Sequence, residues 1–348
     1  MTTIPKTIPK TMRALVVHAY EVGSYASLTV EQRPTPHPGR GEVLVQMAAS
    51  PINPSDLASL QGAYGVPKAL PMVPGIEGSG TVVHTGAGYL ARRLLGKRVA
   101  CAADAGDGAW AEYMVTSARL CSPLPAHFSD DQGAMRIVNP YTAWAHLAIA
   151  QQAGARTIVV TAAASALGQM VNKLARQRGM QVINIVRREA QAETLRRLGA
   201  TRILNSEAPD FDQQLRDHCQ QLSARLAFDA VAGSMTARLL TALPPEGRVV
   251  VYGALAAQFG GEAALSLDPS DLIFNQRRVE GFYLPRWIAH QSPLALLGMQ
   301  RRLYRLGDLT HEAIQLRAPL EDAQQAITTY EANMSAGKAL LMPGKILT

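Results

Sequence analysis

The feature that most restricts what this chain can become lies at residues 157–188, TIVVTAAASALGQMVNKLARQRGMQVINIVRR. Residues 157–161 make a short β-branched run of the kind buried in a parallel sheet. Leu167, Met170, Val171, Leu174 and Ala175 then recur at helical spacing and would share one face. Gly179 stands where a helix stops, and residues 182–186 read as the next strand. Strand, turn, helix and parallel strand form a βαβ unit, whose handedness leaves few topologies open.

The turn inside that unit is built to let a ligand approach the backbone. Across Ala163, Ala164, Ser165, Ala166, Leu167 and Gly168 the side chains near the helix start are mostly small. Free N–H groups and the helix N-terminus there suit a pyrophosphate, and the Ser165 hydroxyl can donate to one. The glycine-rich dinucleotide pattern survives only at Gly168, with Ala163 and Ser165 at its first two positions. An ordinary buried βαβ unit would read the same way, so the turn alone leaves the ligand open. The end of the second strand narrows the choice. NAD-binding units usually place Asp or Glu there for the ribose hydroxyls, about 20 residues past the turn. This chain has Arg187 and Arg188, whose guanidiniums suit a 2′-phosphate; a solvated helix start also tolerates arginine, but the charge opposes the dipole of the following helix. The cofactor expected is NADPH.

At 348 residues the chain is long enough for two domains with separate cores. No apolar run reaches the ~18 residues of a membrane span, and the first eleven residues, MTTIPKTIPKT, lack the apolar stretch of a secretory signal. Three cysteines, Cys101, Cys121 and Cys219, have no metal-like spacing. The expectation from these absences is a cytoplasmic protein with no membrane partner. A formal charge of +7 could attract NADPH, a CoA thioester or an acidic carrier protein. Nucleic acid is not expected, because the basic residues form no tract interleaved with aromatics.

Strand and turn signals fill the first part of the chain. RALVVHAY, LTVEQRPTPHPGRGEVLVQMAAS and GKRVACAADAGDGAWAEYMV read as strands joined by Gly-rich turns. A short helix is expected after Pro51-Ile52-Asn53-Pro54. Near Asp130 the pattern changes to alternating helices and strands, which continue through a strand at 248–253 and imply a doubly wound parallel sheet. A short strand at 279–284 and a helix at 320–336 complete the chain.

INPSDL, GIEGSGTVV and GAWAEY, with LQGAYG, VNPYTAW and GFYLPRW, resemble the medium-chain dehydrogenase/reductases. The resemblance spans residues 12–348 and looks strongest to the zinc-free branch of quinone oxidoreductases and mitochondrial-type 2-enoyl thioester reductases. The fold it implies is α/β: a Rossmann doubly wound parallel sheet domain plus a GroES-like mainly-β domain. The boundaries expected are 1–132 for the first part of the GroES-like domain, 133–283 for the NADPH-binding domain and 284–348 for the return. Zinc-dependent relatives carry Cys where this chain has Asn53 and Gly-His-Glu where it has Gly75-Ile76-Glu77. Isoleucine cannot coordinate zinc and an Asn amide is a poor ligand, so no metal is expected.

The same resemblance implies site residues. Tyr64, in the QGxYG stretch, matches the proton donor proposed for enoyl reductases; a tyrosine packed at a domain edge is the plainer alternative. Asn53, Asn139 and Thr142 match cofactor contacts, though Asn53 and Asn139 could simply cap turns. Tyr252, Gly253 and Ala254 end a strand at the carboxyl edge, where open α/β sheets bind ligands. Phe282, Tyr283 and Leu284 resemble a stretch lining the nicotinamide and acyl pocket, with Trp287 at its edge; Arg286 beside it has no assigned role. Lys338 matches a lysine near the cofactor, although a lysine in a Gly-Lys turn ordinarily lies on the surface. The expected activity is NADPH-dependent reduction of an activated C=C bond, most plausibly of a 2-enoyl thioester. The alternatives are an NADPH:quinone oxidoreductase and an NADPH-binding structural or sensing protein without turnover. A homodimer is implied by the resemblance alone.

Overall fold

The computed structural model describes residues 7–258, 264–307 and 312–344. It divides into two compact units: Met1–Val138 together with Glu312–Thr348, and Asn139–His311.

In the first unit β1 (Thr11–Val17) and β2 (Leu28–Pro34) form an antiparallel pair. The remaining elements before the crossing are β3 (Glu42–Pro51), α1 (Pro54–Leu60), β4 (Glu77–Thr85), α2 (Tyr89–Leu94), β5 (Arg98–Ala102), β6 (Tyr113–Ser117), β7 (Cys121–Pro123) and α3 (Asp130–Ala134). Strand β3 is central, pairing antiparallel with β4 and with β6. The Gly-rich start of β4 has a steric cause: a Cβ added to Gly80 would meet the Gln46 carbonyl oxygen of β3 at 2.1 Å. No L side chain is compatible with so close a strand approach.

The second unit opens within α4 (Val138–Gln152) and continues with β8 (Thr157–Val160), α5 (Ala166–Gln177), β9 (Gln181–Val186), α6 (Glu189–Arg197), β10 (Arg202–Asn205), α7 (Phe211–Gln221), β11 (Leu226–Asp229), α8 (Ser234–Ala242), β12 (Arg248–Val251), α9 (Leu255–Gln258), α10 (Pro269–Ile273), β13 (Arg278–Gly281), α11 (Leu284–Ala289) and α12 (Pro293–Arg305). Its six strands are all parallel, in the order β10-β9-β8-β11-β12-β13. This is the doubly wound dinucleotide-binding order, with its switch point between β8 and β11. Side-chain alternation explains why the central strands carry apolar residues on both faces. Ile158, Val160, Phe228 and Val250 face a cluster with α4 and α5, whereas Val159, Ala227 and Val249 face one with α7 and α8.

The chain returns to the first unit as β14 (Ile314–Ala318), α13 (Ala323–Ala332) and β15 (Lys338–Leu341), and β15 pairs with β3. The return comes at Glu312 rather than at 284, because α11 and α12 continue the Rossmann unit; Gln300 of α12 donates to the Tyr141 hydroxyl of α4 at 3.2 Å. The strand expected over 279–284 ends at Gly281, since Leu284 and Pro285 begin α11. The helix expected over 320–336 stops at Ala332. No helix among the described residues is long and apolar enough to cross a membrane.

Candidate active site

The first unit buries a dense polar cluster around Asn53. Asn53 precedes α1, and its N–H donates to Asp56 Oδ2 at 2.8 Å, closing the helix start. Asp56 Oδ1 accepts from the Ile76 N–H at 2.8 Å, which ties α1 to the entry of β4. The Asn53 amide is engaged at both ends: Nδ2 donates to Glu77 Oε1 at 3.1 Å, and Oδ1 accepts from Lys338 Nζ. Glu77 Oε2 accepts from the N–H groups of Ile137 and Val138, each at 3.0 Å. Lys338 is 2% exposed and its ammonium lies 5.7 Å from the Tyr330 ring centre. A Gly-Lys turn ordinarily sends its lysine to the surface; here β15 lies beside β3, and the side chain points inward toward buried carboxylates.

Electrostatics follow from that burial. Burial pushes Asp56 up to about 6 and Glu77 up to about 7, against the pull of their hydrogen bonds and the Lys338 charge. Burial alone would lower Lys338, but Tyr330, Glu312, Glu77 and Asp56 outweigh it and hold the amine above its ordinary value. Among the described residues, the Lys338 ammonium is thus set against the buried carboxyls of Asp56, Glu77 and Glu312.

Tyr64 lies half-buried on the loop after α1. Gly62 and Gly65 flank it with φ of +70° and +65°, left-handed angles that glycine adopts freely. An added Cβ at Gly62 would meet the Tyr20 ring at 3.0 Å, so the turn is also packed against its own unit.

In the second unit the carboxyl edge of the sheet gathers the other expected residues. Ser165 caps α5, its Oγ accepting the Gly168 N–H at 3.1 Å, which leaves the hydroxyl hydrogen available to a phosphate. A Cβ at Gly168 would meet the Ala163 carbonyl oxygen at 2.4 Å, so this glycine lets the helix close onto the turn. Ala162 takes φ of +47°, so the turn keeps its left-handed residue without a glycine, at a cost of about 1–2 kcal/mol. Ala164 is buried, and its carbonyl accepts from the Gln169 amide at 2.8 Å. Ala166 and Leu167 form the first turn of α5. Arg187 and Arg188 follow β9 with exposed side chains, Arg188 at the N-cap of α6, and among the described residues neither is in an ion pair, whereas Glu189 beside them is paired with Arg196 at 2.6 Å. A small-residue turn closing on a helix N-terminus, with two exposed guanidiniums just past the next strand, fits a phosphorylated dinucleotide.

Two residues of this edge were not anticipated. Asp229 ends β11 fully buried and accepts from Thr161 Oγ1 at 2.8 Å, Thr236 Oγ1 at 2.6 Å and the Val231 N–H at 2.9 Å, fixing the β8 and β11 ends. His146 of α4 is fully buried, stacked on Phe228 at 4.2 Å and bordered by Tyr252 and Phe282 at 4.5 and 5.2 Å. Neither of its ring nitrogens has a hydrogen-bond partner among the described residues, and burial pulls it down to about 3, so it stays neutral. Its spacing from Asn139 and Thr142 gave the signal, since all three share one face of α4. Asn139 and Thr142 are both buried. Gly253 and Ala254 follow Tyr252 out of β12, and a Cβ at Gly253 would approach the Ala230 carbonyl at 2.8 Å. Tyr283 is exposed, Leu284 begins α11, and Trp287 is half-buried one turn later. Among the described residues no group of three or more His, Cys, Asp or Glu is arranged to hold a metal ion.

Known proteins agree with this architecture. Residues 39–126 match the alcohol dehydrogenase GroES-like domain, and residues 166–297 match the zinc-binding dehydrogenase domain. The mitochondrial enoyl-[acyl-carrier-protein] reductase of Bos taurus is 32% identical over 314 residues, covering 87% of this chain and 81% of the relative. A Mesorhizobium loti crystal structure assigned as an NADPH:quinone reductase is 33% identical, with a TM-score of 0.89 over 97% of this chain and 100% of that one. A mycobacterial protein solved with NADPH is 25% identical, with a TM-score of 0.79 over 95% of this chain and 100% of that one. A GroES-like unit interrupted by a Rossmann unit, with likeness to full-length reductases on both counts, makes this chain a nicotinamide-dependent oxidoreductase of the medium-chain dehydrogenase/reductase family.

Proposed function

We propose that this protein reduces the activated C=C bond of a 2-enoyl thioester at the expense of NADPH. The observation that carries the reading is Tyr64, a half-buried phenol set between two left-handed glycines, at the position matching the proton donor proposed for enoyl reductases. When bound, NADPH supplies the hydride that the electrophilic Cβ of the conjugated thioester accepts. Tyr64 holds a proton on its hydroxyl oxygen and gives it to Cα as negative charge develops there. One C–H bond forms at each carbon as the π bond is lost, and solvent returns the proton to the phenol. Asn139, Thr142 and the 164–168 turn hold the nucleotide in this reading, and Arg187 and Arg188 hold its 2′-phosphate.

The activity is tested by following NADPH oxidation with crotonyl-CoA, trans-2-hexenoyl-CoA and 1,4-benzoquinone side by side. Turnover on either thioester with little on the quinone is expected. Quinone turnover alone would replace the proposal with an NADPH:quinone oxidoreductase, a reading favoured by the 33% identity to the Mesorhizobium loti chain. That reaction needs no proton delivered to a Cα.

Cofactor choice has its own test. Each guanidinium would contribute a charge-assisted bond to the 2′-phosphate, worth about 1.5–3 kcal/mol. Arg187→Ala combined with Arg188→Ala is therefore expected to weaken NADPH binding by at least about tenfold and leave NADH binding unchanged. Equal losses for the two nucleotides would assign the arginines a structural role.

A further inference from the structure

Glu77 opens β4 and is 2% exposed. Its partners all donate to it: Asn53 Nδ2 to one oxygen, and the Ile137 and Val138 N–H groups to the other. Those two N–H groups stand at the head of α4, which has no acidic residue in its own first turn. Lys338 donates to Asn53 Oδ1, so the hydrogen bonds run in one direction, from Lys338 through Asn53 to Glu77. A chain with that polarity ends correctly only on an acceptor that carries no proton. A glutamine amide in place of Glu77 would turn its own NH₂ toward one of these donors.

We propose that Glu77 is a positioning residue for the cofactor: its carboxylate caps the head of α4 and so fixes the turn that carries Asn139 and Thr142. Lys338, through Asn53, holds that carboxylate in place. The inference rests on the nucleotide-binding reading of Asn139 and Thr142. Carboxylates near a helix N-terminus satisfy free N–H groups and oppose the positive end of the dipole. Here the cap comes from a strand 60 residues earlier in sequence.

The charged and titratable groups facing Glu77 are Lys338 of β15, Glu312 before β14 and Cys101 of β5, while Asp56 of α1 and Tyr330 of α13 act on Lys338 beside it. Burial is the largest influence and pushes Glu77 up to about 7 from an ordinary 4.5. Protonation near neutrality removes acceptor capacity, so the cap weakens as pH falls from 8 to 6. Stability runs the other way. A carboxyl with a raised folded-state pKa adds stability that is full below 4.5 and lost as pH rises through about 7. A purely structural Glu77 would follow only the second trend.

The test pairs hydrogen-exchange mass spectrometry of the ligand-free protein with NADPH affinity by fluorescence, from pH 6 to pH 8. Glu77→Gln is expected to speed exchange, relative to intrinsic rates, in the peptide spanning 137–142 by about five- to tenfold, the loss of one helix cap. NADPH affinity should fall by a similar factor and become flat with pH, whereas wild-type affinity declines as pH drops. Wild-type protection and wild-type pH slope in E77Q would overturn the proposal. Should E77Q not fold, Glu77→Asp, which keeps the charge and shortens its reach, decides: protection of that peptide and NADPH affinity must fall together, and loss of neither would overturn the cap. A wild-type protein that binds no NADPH at any pH, while E77Q still frays α4, would overturn the cofactor reading instead.

Discussion

Lys338→Met is expected to destabilise the protein by about 3–5 kcal/mol, the cost of leaving buried charge without its partner. Methionine nearly matches the lysine stem in length, so packing against Tyr330 is largely retained and the change isolates the charge. Asp56, Glu77 and Glu312 then lose the buried ammonium set among them, and each ionised carboxyl raises the cost of the next. Protons can relieve this at low pH. Burial already holds Asp56 near 6 and Glu77 near 7, and removing the Lys338 charge moves both further up. The difference between variant and wild type should therefore be larger at pH 8 than at pH 6. Urea unfolding at the two pH values reads it directly. A loss of the same size at both would mean that the amine contributes through packing and its bond to Asn53, not through its charge.

Taking the difference also cancels a group that titrates in the opposite sense. Burial lowers His146 to about 3 from an ordinary 6.5. Its neutral form therefore contributes stability that is full above 6.5 and lost as pH falls toward 3. Below neutrality His146 costs stability while the raised carboxyls add it. A stability profile of the wild type alone would mix the two.

The Rossmann unit was legible because its signals are local. The runs Ile158-Val159-Val160 and Val249-Val250-Val251 are apolar at every position, as strand centres covered on both faces must be, and Gly179 and Gly199 mark helix ends within a few residues of their own turns. The crossing back to the first unit was not legible. α11 and α12 are mostly exposed helices, and nothing in LPRWIA or PLALLGMQRRLYR states which core they join. Lys338 was found by resemblance but its burial could not be read, because the groups that stabilise it come from β4, α1, α13 and residue 312. A Gly-Lys pair on a surface turn has the same local sequence. Glu77 was noted only for what its neighbour Ile76 cannot ligate; its hold on Ile137 and Val138 reaches across 60 and 61 residues of sequence. Local pattern gives elements, and long-range polar partners emerge only once the strands are assembled.

Tyr64→Phe should lower kcat on crotonyl-CoA by about 10²–10⁴, the usual weight of a positioned general acid, while benzoquinone reduction continues. The substitution removes one hydroxyl and keeps the ring. The loop keeps its left-handed glycines at 62 and 65, and the contact of Gly62 with Tyr20 involves no atom of Tyr64. The division between kcat and KM then identifies what the hydroxyl does. A proton given only as charge develops at Cα is an interaction of the transition state, so kcat falls and KM holds. A rise in KM with kcat intact would make Tyr64 part of the acyl-binding wall and remove it from the chemistry. Equal survival of thioester and quinone turnover would leave Cα to be protonated by solvent, and the glycines around Tyr64 would then serve only to turn the chain after α1.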